Sequence, residues 1–205
     1  MNFNGFNKND FDTFKLEELQ DRMEAIQERI QPKFQAISDD VKDELSLILG
    51  QDMFLHIARH ARRKVNPPSD TWSAYCHNKR GYKQHPHFQV GLFDDHVFIW
   101  LAFIYELPHK TEIAQRFMEE KDTIIETIPN DFVISLDHMK KFAEPLETID
   151  LDHALTRFRD IKKGEFLIGR QIEATDPILK DGDKFINLVH DTFKTLTPLY
   201  KLSMR

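Results

Sequence analysis

Cysteine and glycine are both scarce in this sequence, and their scarcity excludes several classes of protein. The single cysteine, Cys76, cannot form an internal disulfide, and the N-terminus lacks the basic-then-apolar pattern of a secretory signal. We therefore expect a reducing, cytoplasmic setting. The seven glycines are scattered and form neither a phosphate-binding loop nor a dinucleotide-binding fingerprint. No serine stands in a Gly-x-Ser-x-Gly nucleophile elbow, and Cys76 falls at an apolar strand position that favours a buried structural thiol.

Long hydrophobic runs are also missing. The longest apolar run, residues 97–105, has nine residues, whereas a membrane-spanning helix needs about 20. This run predicts a buried strand, and no membrane partner is expected. A hydrophobic content of 40% and a charged content of 30% are ordinary for a globular chain of 205 residues. We therefore expect a single compact domain over residues 1–205.

Acidic residues are nearly absent from one stretch of an otherwise acidic chain. Residues 56–93, the basic stretch, contain seven Lys and Arg residues, five of the ten histidines and one acid, Asp70. The stretch carries a formal charge of +6, so the rest of the chain sums to −12 against a net charge of −6. Because the net charge gives no general attraction to nucleic acid or anionic membranes, any attraction of anions must be local to this stretch.

Apolar periodicity predicts helices in the first quarter of the chain. Residues 16–30 carry an apolar stripe at every third or fourth position, which predicts an amphipathic helix that ends at Pro32. A second helix is expected from Pro32 to Gly50, because Gly suits a helix C-terminus. Ahead of both helices, an extended arm is expected to insert its aromatic rings into the body: Phe3, Phe6 and Phe11.

Alternation with a period of two predicts antiparallel strands in the middle of the chain. Residues 53–65 fit a strand better than a helix, residues 66–70 form a turn rich in Pro, Asn and Asp, and strands follow at 71–77, 88–92 and 97–105. One face of the resulting hairpin is expected to be apolar, with Trp72, Ala74, Cys76, Phe88, Val90 and Leu92. The other face is expected to be polar, with Thr71, Ser73, Tyr75, His87 and Gln89.

The second half of the sequence alternates helices with strands. Helices are predicted at residues 111–128 and 150–161, and a last helix, from about residue 183, is kinked or ended by Pro198. Two further strands lie between these helices, and the second carries a predicted bulge at Gly169. A contiguous antiparallel β-meander with flanking helices, followed by strands that alternate with helices, defines an α+β fold. The strand order stays open.

The side chains of the basic stretch favour anion binding. Arginine and lysine supply charged donors, and histidine, tyrosine and amide side chains add polar ones. The candidate ligand-binding residues are His56, His60, Arg62, Arg63, Asn66, Tyr75, Arg80, Tyr82, Lys83, His85, His87 and Gln89. The leading hypothesis is a non-catalytic module whose basic hairpin holds an anionic ligand, either a nucleotide, a phosphometabolite or nucleic acid. Tyr82 is the aromatic residue best placed to stack on a base, because Trp72 and Phe88 occupy apolar positions.

Two other interpretations compete with anion binding. In the first, the long basic side chains lie over the sheet and pair with the Glu-rich helices, without a ligand. In the second, the protein is a small hydrolase or phosphoryl-transfer enzyme. Its acid or base would be His56, His60 or His87, with charge stabilisation from Arg62, Arg63 or Arg80. Asp137 and His138 form a further, isolated candidate for a carboxylate-oriented histidine near a cleft.

Metal binding is not expected in the basic stretch. On a strand, His56 and His60 would lie ~13 Å apart, which is too wide for them to share one ion, although on a helix they could chelate. His85 and His87 would lie ~6.6 Å apart on one strand face, but Pro86 distorts the chain between them. The nearby cations would also repel a dication that one acid cannot offset. We expect neither a metal nor a cofactor.

Two long segments, HIARHARRKVNPPSDTW at residues 56–72 and KRGYKQHPHFQVGL at residues 79–92, resemble the YktB-like family of uncharacterised bacterial proteins. Shorter matches are DFDTF at 10–14, LEELQDRMEAI at 16–26, IQPKF at 30–34, SLDH at 135–138 and KKGEFLIG at 162–169. The resemblance implies a soluble, single-domain α+β protein, and it supplies no activity, cofactor or functional residue.

Overall fold

A seven-stranded antiparallel sheet forms the centre of the computed structural model, which describes residues 2–205. Its strands are β1 (Phe54–Ile57), β2 (Thr71–Cys76), β3 (His87–Leu92), β4 (His96–Phe103), β5 (Val133–Ser135), β6 (Glu144–Pro145) and β7 (Phe166–Glu173). Strands β1 to β4 form a meander, and β7 lies beside β4, so the sheet order is β1-β2-β3-β4-β7-β5-β6. The predicted α+β fold and its contiguous antiparallel meander are confirmed. Strand β6 is not among the strands that the sequence predicts.

Helices cover one face of this sheet. They are α1 (Lys8–Asp12), α2 (Leu19–Ala25), α3 (Gln31–Leu49), α4 (Lys110–Glu119), α5 (Lys121–Thr127), α6 (Leu151–Asp160) and α7 (Gly182–Ser203). Ile37 of α3, Phe117 of α4, Phe158 of α6 and Phe193 of α7 share one buried cluster with sheet residues such as Ile99. Within residues 2–205, no helix combines the length and apolar character needed to cross a membrane.

The opposite face of the sheet carries a second, smaller apolar cluster. It contains Ala58, Trp72, Ala74, Phe93, Phe98, Trp100, Ala102, Ile104 and Leu167. Strand β4 is therefore buried on both faces, as its continuous apolar run predicts. Tyr82 and Ala143, which pack against this second cluster, come from a short turn and a loop, and Val133 packs against it from β5. The candidate site forms on this face.

The predicted division of the hairpin into an apolar and a polar face is wrong. Tyr75 pairs with Phe88 across β2 and β3, and directly paired residues point to the same side of a sheet. Tyr75 therefore lies in the helix-side core, whereas His87 and Gln89 lie on the opposite side with Trp72. Because both faces of these strands are buried, alternation of polarity does not reveal which residues face the helices.

Two glycines allow aromatic residues of β4 to lie flat against the sheet. Gly91 pairs with Phe98, and Gly169 pairs with Trp100. A Cβ at Gly91 would lie 2.4 Å from the Phe98 ring, and a Cβ at Gly169 would lie 1.9 Å from the carbonyl oxygen of Ile99. The predicted bulge at Gly169 is wrong, since the β4–β7 register is regular through that position. Close approach of the neighbouring strand is what requires glycine there.

The helix boundaries partly follow the proline and glycine signals. Gly50 ends α3 with a φ of 69°, as predicted, and the N-terminal aromatic rings are buried as expected: Phe3, Phe6 and Phe11. Pro32 does not end a helix, because a widened π-helical turn at Ile26–Ile30 carries the chain from α2 into α3. Pro198 lies inside α7 without ending it. The single helix predicted at 111–128 is divided into α4 and α5 at Glu120.

Candidate functional site

A cavity of about 530 Å³, the Asp70 pocket, lies on the side of the sheet opposite the helices. Its lining residues are Ala58, Arg59, His60, Ala61, Arg62, Arg63, Asp70, Trp72, Tyr82, Lys83, Glu106, His138 and Met139. Five of the twelve candidate residues from the sequence therefore meet in it: His60, Arg62, Arg63, Tyr82 and Lys83. The pocket is of the size that suits a small-molecule ligand.

One wall of the pocket is the loop between β1 and β2. The strand predicted at residues 53–65 is shorter than expected, since β1 ends at Ile57 and residues 58–70 are irregular. The loop is fixed at both ends: the Ala58 N–H donates to Trp72 O at 2.9 Å, and Arg22 Nη1 of α2 donates to Pro68 O at 2.8 Å. This anchoring holds the arginines of the loop beside the sheet.

His60 occupies a strained position in this loop. Its φ is 49°, in a region that residues with a side chain rarely adopt. Its Nε2 lies 3.1 Å from Thr71 Oγ1. Burial, with help from Arg63 and Lys83, lowers the pKa of His60 to about 4. The imidazole is therefore neutral at pH 7, which makes His60 a poor proton donor there.

A hydrogen bond between Trp72 and Tyr82 forms the aromatic wall of the pocket. Trp72 Nε1–H donates to Tyr82 Oη at 2.9 Å, and the Lys83 ammonium lies 5.5 Å from the centre of the Trp72 ring. Burial raises the pKa of Tyr82 to about 12, so the phenol keeps its proton at neutral pH. Since the Tyr82 oxygen is already an acceptor, its own O–H is the group that it can offer to a ligand.

Asp70 is the most unusual residue of the pocket. Its side chain is 1% exposed, and neither carboxylate oxygen has a hydrogen-bond partner among the described residues. Burial raises the pKa of Asp70 to about 6, against the opposing attraction of His138, Arg63 and Lys83. A buried carboxylate without a partner is rare, because it loses its hydration without compensation.

His138 faces the same pocket and is held by a buried carboxylate. Its Nδ1 lies 2.8 and 2.9 Å from the two carboxylate oxygens of Glu165, and its backbone N–H donates to Glu165 Oε2 at 2.8 Å. Glu165 is 2% exposed and also accepts from the backbone N–H of Tyr105 at 3.3 Å. With Nδ1 engaged, Nε2 is the ring nitrogen that His138 can offer to a ligand.

The arginines at the pocket mouth have no acidic partners. Lys83 lies 4.0 Å from Glu106, but within residues 2–205 no salt bridge involves Arg59, Arg62 or Arg63. The interpretation in which these side chains pair with the acidic helices is therefore wrong for the three arginines.

The other candidate residues lie outside the pocket. His87 is buried beneath Tyr82, with a ring-to-ring distance of 5.0 Å. The His87 Nδ1–H donates to the His85 carbonyl at 2.8 Å, and its Nε2 accepts from Gln89 at 2.8 Å. Burial lowers the pKa of His87 to about 3. His87 and Gln89 are thus bonded to each other and to the backbone, and neither side chain lines the Asp70 pocket.

The remaining candidates also fall elsewhere. Tyr75 is buried in the helix-side core, and His56 Nε2 bonds the carbonyl of Asn78 at 2.9 Å. Asn66 and Arg80 are exposed outside the pocket. His85 lines a separate cavity of about 480 Å³ with His77, His109 and Arg116 among its other residues.

One group of side chains within residues 2–205 has the spacing of metal ligands. Single ligand atoms of Asp137, His138 and Glu165 lie within 4.8 Å of one another. Both carboxylate oxygens of Glu165 already accept hydrogen bonds, and His138 Nδ1 bonds the same carboxylate. These contacts occupy the atoms that a metal would need, so the geometry favours a carboxylate–imidazole pair.

Sequence reasoning does not identify four residues of this region as functional. It places Asp70 in a turn and Trp72 at an apolar position, and it does not single out Arg59 or Glu165. The Asp137–His138 dipeptide did signal a carboxylate-oriented histidine, but its partner is Glu165, which is 27 residues away in the chain. Only the pairing of β7 with β4 and β5 brings Glu165 to His138.

Comparison with known proteins gives one family. A family model described as a domain of unknown function (DUF1054) matches residues 6–200. A UPF0637 protein of Shouchella clausii is 56% identical over 200 residues, covering 98% of this chain and 95% of that protein. A UPF0637 protein of Oceanobacillus iheyensis is 55% identical, covering 98% and 97%, and one of Listeria innocua is 51% identical over the full length of both chains.

Proposed function

Since the chain belongs to the DUF1054 (UPF0637) family of uncharacterised bacterial proteins, which confirms the resemblance seen in its sequence, we propose its function from its own site: binding of a small anionic ligand in the Asp70 pocket. The observation that carries the proposal is the convergence of Arg59, Arg62, Arg63 and Lys83 on one cavity of about 530 Å³. A concave pocket of this size suits a small molecule, whereas a polymer is bound along an open basic surface.

The excess of positive charge in the pocket supports an anion as its ligand. Four Arg and Lys side chains line it against two acids, Asp70 and Glu106. Guanidinium groups without acidic partners are well suited to phosphate and carboxylate groups, because they donate two parallel hydrogen bonds. A phosphometabolite or a mononucleotide fits this description better than nucleic acid, since Arg80 and Asn66 lie away from the pocket.

Calorimetric titration tests the proposal with defined probes: inorganic phosphate, pyrophosphate, AMP and a single-stranded oligonucleotide. We expect a small phosphate compound to bind and its affinity to fall as salt is raised. Arg63→Gln should weaken binding at least tenfold, and Arg80→Gln, which changes the same residue type outside the pocket, should leave it unaltered. Equal effects of both variants, or tighter binding of the oligonucleotide alone, would contradict a small-ligand pocket.

A second candidate function, acid–base catalysis, is favoured by the Glu165–His138 pair. In this scheme His138 Nε2 takes a proton from a water molecule as the water attacks a bound ester, and then returns that proton to the departing oxygen. His138 replaces the three histidines that the sequence suggests as the acid or base. His87 Nε2 bonds Gln89, the pKa of His60 is lowered, and His56 bonds a backbone carbonyl.

Hydrolysis of p-nitrophenyl phosphate, bis(p-nitrophenyl) phosphate and p-nitrophenyl acetate tests this second function. We expect His138→Gln to lower any turnover by about 10²–10⁴-fold, and His85→Gln to leave it unchanged. Turnover that survives in His138→Gln would rule out His138 as the base.

We further propose that the chain acts as one domain and in the cytoplasm. A single sheet takes strands from residues 54 to 173, which supports one domain. The free, buried Cys76 supports a reducing setting. Limited proteolysis and cell fractionation would test the two proposals.

A further inference from the structure

The unpartnered carboxylate of Asp70 indicates what else the ligand must contain. A carboxylate of this kind costs free energy in the folded protein unless something supplies a donor. Three ring nitrogens near Asp70 bond other groups instead: Trp72 Nε1–H bonds Tyr82, and His138 Nδ1 bonds Glu165. His60 Nε2 is paired with Thr71.

The basic side chains near Asp70 do not bond to its carboxylate. Arg63, Lys83 and His138 are close enough to lower the pKa of Asp70, so their field reaches the carboxylate. Within residues 2–205, however, none of them forms a hydrogen bond or salt bridge with it. Both carboxylate oxygens are therefore buried without a donor, beside the pocket that Asp70 lines.

A metal ion is a poor candidate for this position. The described residues offer one group with metal-ligand spacing, and Asp70 is not part of it. One carboxylate without a second protein ligand does not make a metal site. An organic donor remains, and a protonated amine is the donor that best offsets a buried negative charge.

We propose that the ligand of the Asp70 pocket is a small zwitterion, in which an anionic group is held by the arginines and Lys83 while an amino group binds Asp70. This inference rests on the proposed anion-binding function and names the class of its ligand. The two ends of such a molecule match the two ends of the pocket, where exposed Arg59 and Arg62 lie at the mouth and buried Asp70 lies at the base.

The charges that line the pocket explain why a molecule with only an amine, or only an anionic group, should bind more weakly than a zwitterion. A simple amine meets four basic side chains as well as Asp70, so repulsion opposes its entry. A simple anion is attracted by the arginines but leaves Asp70 without a donor. The zwitterion satisfies both groups, so we expect it to bind more tightly than either half.

Matched pairs of probes test the inference: phosphoethanolamine against ethyl phosphate, and 4-aminobutyl phosphate against butyl phosphate. Two spacer lengths are used so that the result does not depend on one span between the amine and the phosphate. We expect the amine to improve the affinity at least tenfold in one pair, and ethylamine alone not to bind. In Asp70→Asn the preference for the amine should disappear, while ethyl or butyl phosphate should bind more tightly because a negative charge has left the pocket.

The pH dependence of the unaltered protein provides a second readout. Asp70 is ionised above its pKa of about 6, so the amine preference should be present at pH 8 and lost at pH 5. If alkyl phosphates bind but the amine adds nothing in either pair at pH 8, the zwitterion inference is wrong and the proposed anion site stands. If none of the probes binds, both are wrong.

Discussion

Glu165 holds His138 by three contacts at once, two to the imidazole Nδ1 at 2.8 and 2.9 Å and one from the backbone N–H at 2.8 Å. The carboxylate comes from the residue before β7, and the histidine from the loop after β5. Because the side chain and the backbone of His138 are both fixed, its ring has one orientation towards the Asp70 pocket. Such fixing is typical of residues that must present one particular nitrogen.

Replacement of Glu165 should therefore destabilise the protein. We expect Glu165→Ala to lower the free energy of unfolding by at least about 2 kcal/mol, because each buried donor left unpaired costs roughly 1–3 kcal/mol. Thermal unfolding followed by circular dichroism would show a melting temperature lowered by several degrees. Glu173→Ala, at an exposed position at the far end of β7, is the matched control and should have little effect. Equal melting temperatures for the two variants would contradict the bonding described for Glu165.

Replacement of Asp70 should instead raise the free energy of unfolding at neutral and higher pH. The pKa of Asp70 is raised from 3.8 to about 6 in the folded chain, so between these values the folded state binds more protons than the unfolded state. Linkage then makes the free energy of unfolding fall as pH rises through this window, and the loss is complete above about pH 6. We expect Asp70→Asn to stabilise the protein by roughly 1–3 kcal/mol at pH 8 and to have little effect near pH 4. Denaturant unfolding at the two pH values measures the difference.

The control for this experiment is Asp52→Asn, which removes an exposed carboxylate. It should not alter the pH dependence. A stabilisation that is lost rather than gained at pH 8 would mean that Asp70 has a partner in solution. A gain in stability together with lost amine binding is the combination expected of a functional carboxylate kept at a cost to stability.

Glycine at position 169 is required by the packing of β7 on β4. A Cβ there would lie 1.9 Å from the Ile99 carbonyl oxygen and 2.9 Å from the Trp100 ring. We expect Gly169→Ala to cost about 3 kcal/mol or more, since a central strand cannot move away without breaking its pairing. Gly50→Asn is a suitable comparison, because nothing lies within 4 Å of its Cβ position and Asn tolerates a φ of 69°. Urea unfolding of both variants should separate steric exclusion from backbone strain.

The sequence predicts the elements of this fold better than it predicts their faces. Local signals suffice where one residue decides the outcome: Gly50 ends α3, and Asp150 caps α6 by accepting the His153 N–H at 2.9 Å. They are insufficient at Pro32, where a π-helical turn at Ile26–Ile30 leads directly into α3. They also mislead in β2 and β3, because both faces of a central strand are buried and polarity no longer distinguishes them.

The candidate site is predictable only in part for a related reason. The arginines of the β1–β2 loop are neighbours in sequence, so the excess of basic residues in that segment predicts their importance. The sequence indicates only that Asp70 lies in a turn. Its burial depends on tertiary structure, because β2 begins at Thr71 and the loop folds back over the sheet. Glu165 and His138 meet through strand order, which no local pattern encodes.

Trp72 provides an optical test of where an anion binds. Of the two tryptophans, Trp72 lines the Asp70 pocket and Trp100 does not. A phosphate that draws Lys83 away from its position 5.5 Å from the Trp72 ring should change the fluorescence of that indole. In Trp100→Phe, which leaves Trp72 as the sole tryptophan, we expect a saturable change on addition of pyrophosphate with the same dissociation constant as calorimetry gives. In Trp72→Phe the change should be absent even where binding persists. A response that follows Trp100 instead would place the anion outside the Asp70 pocket.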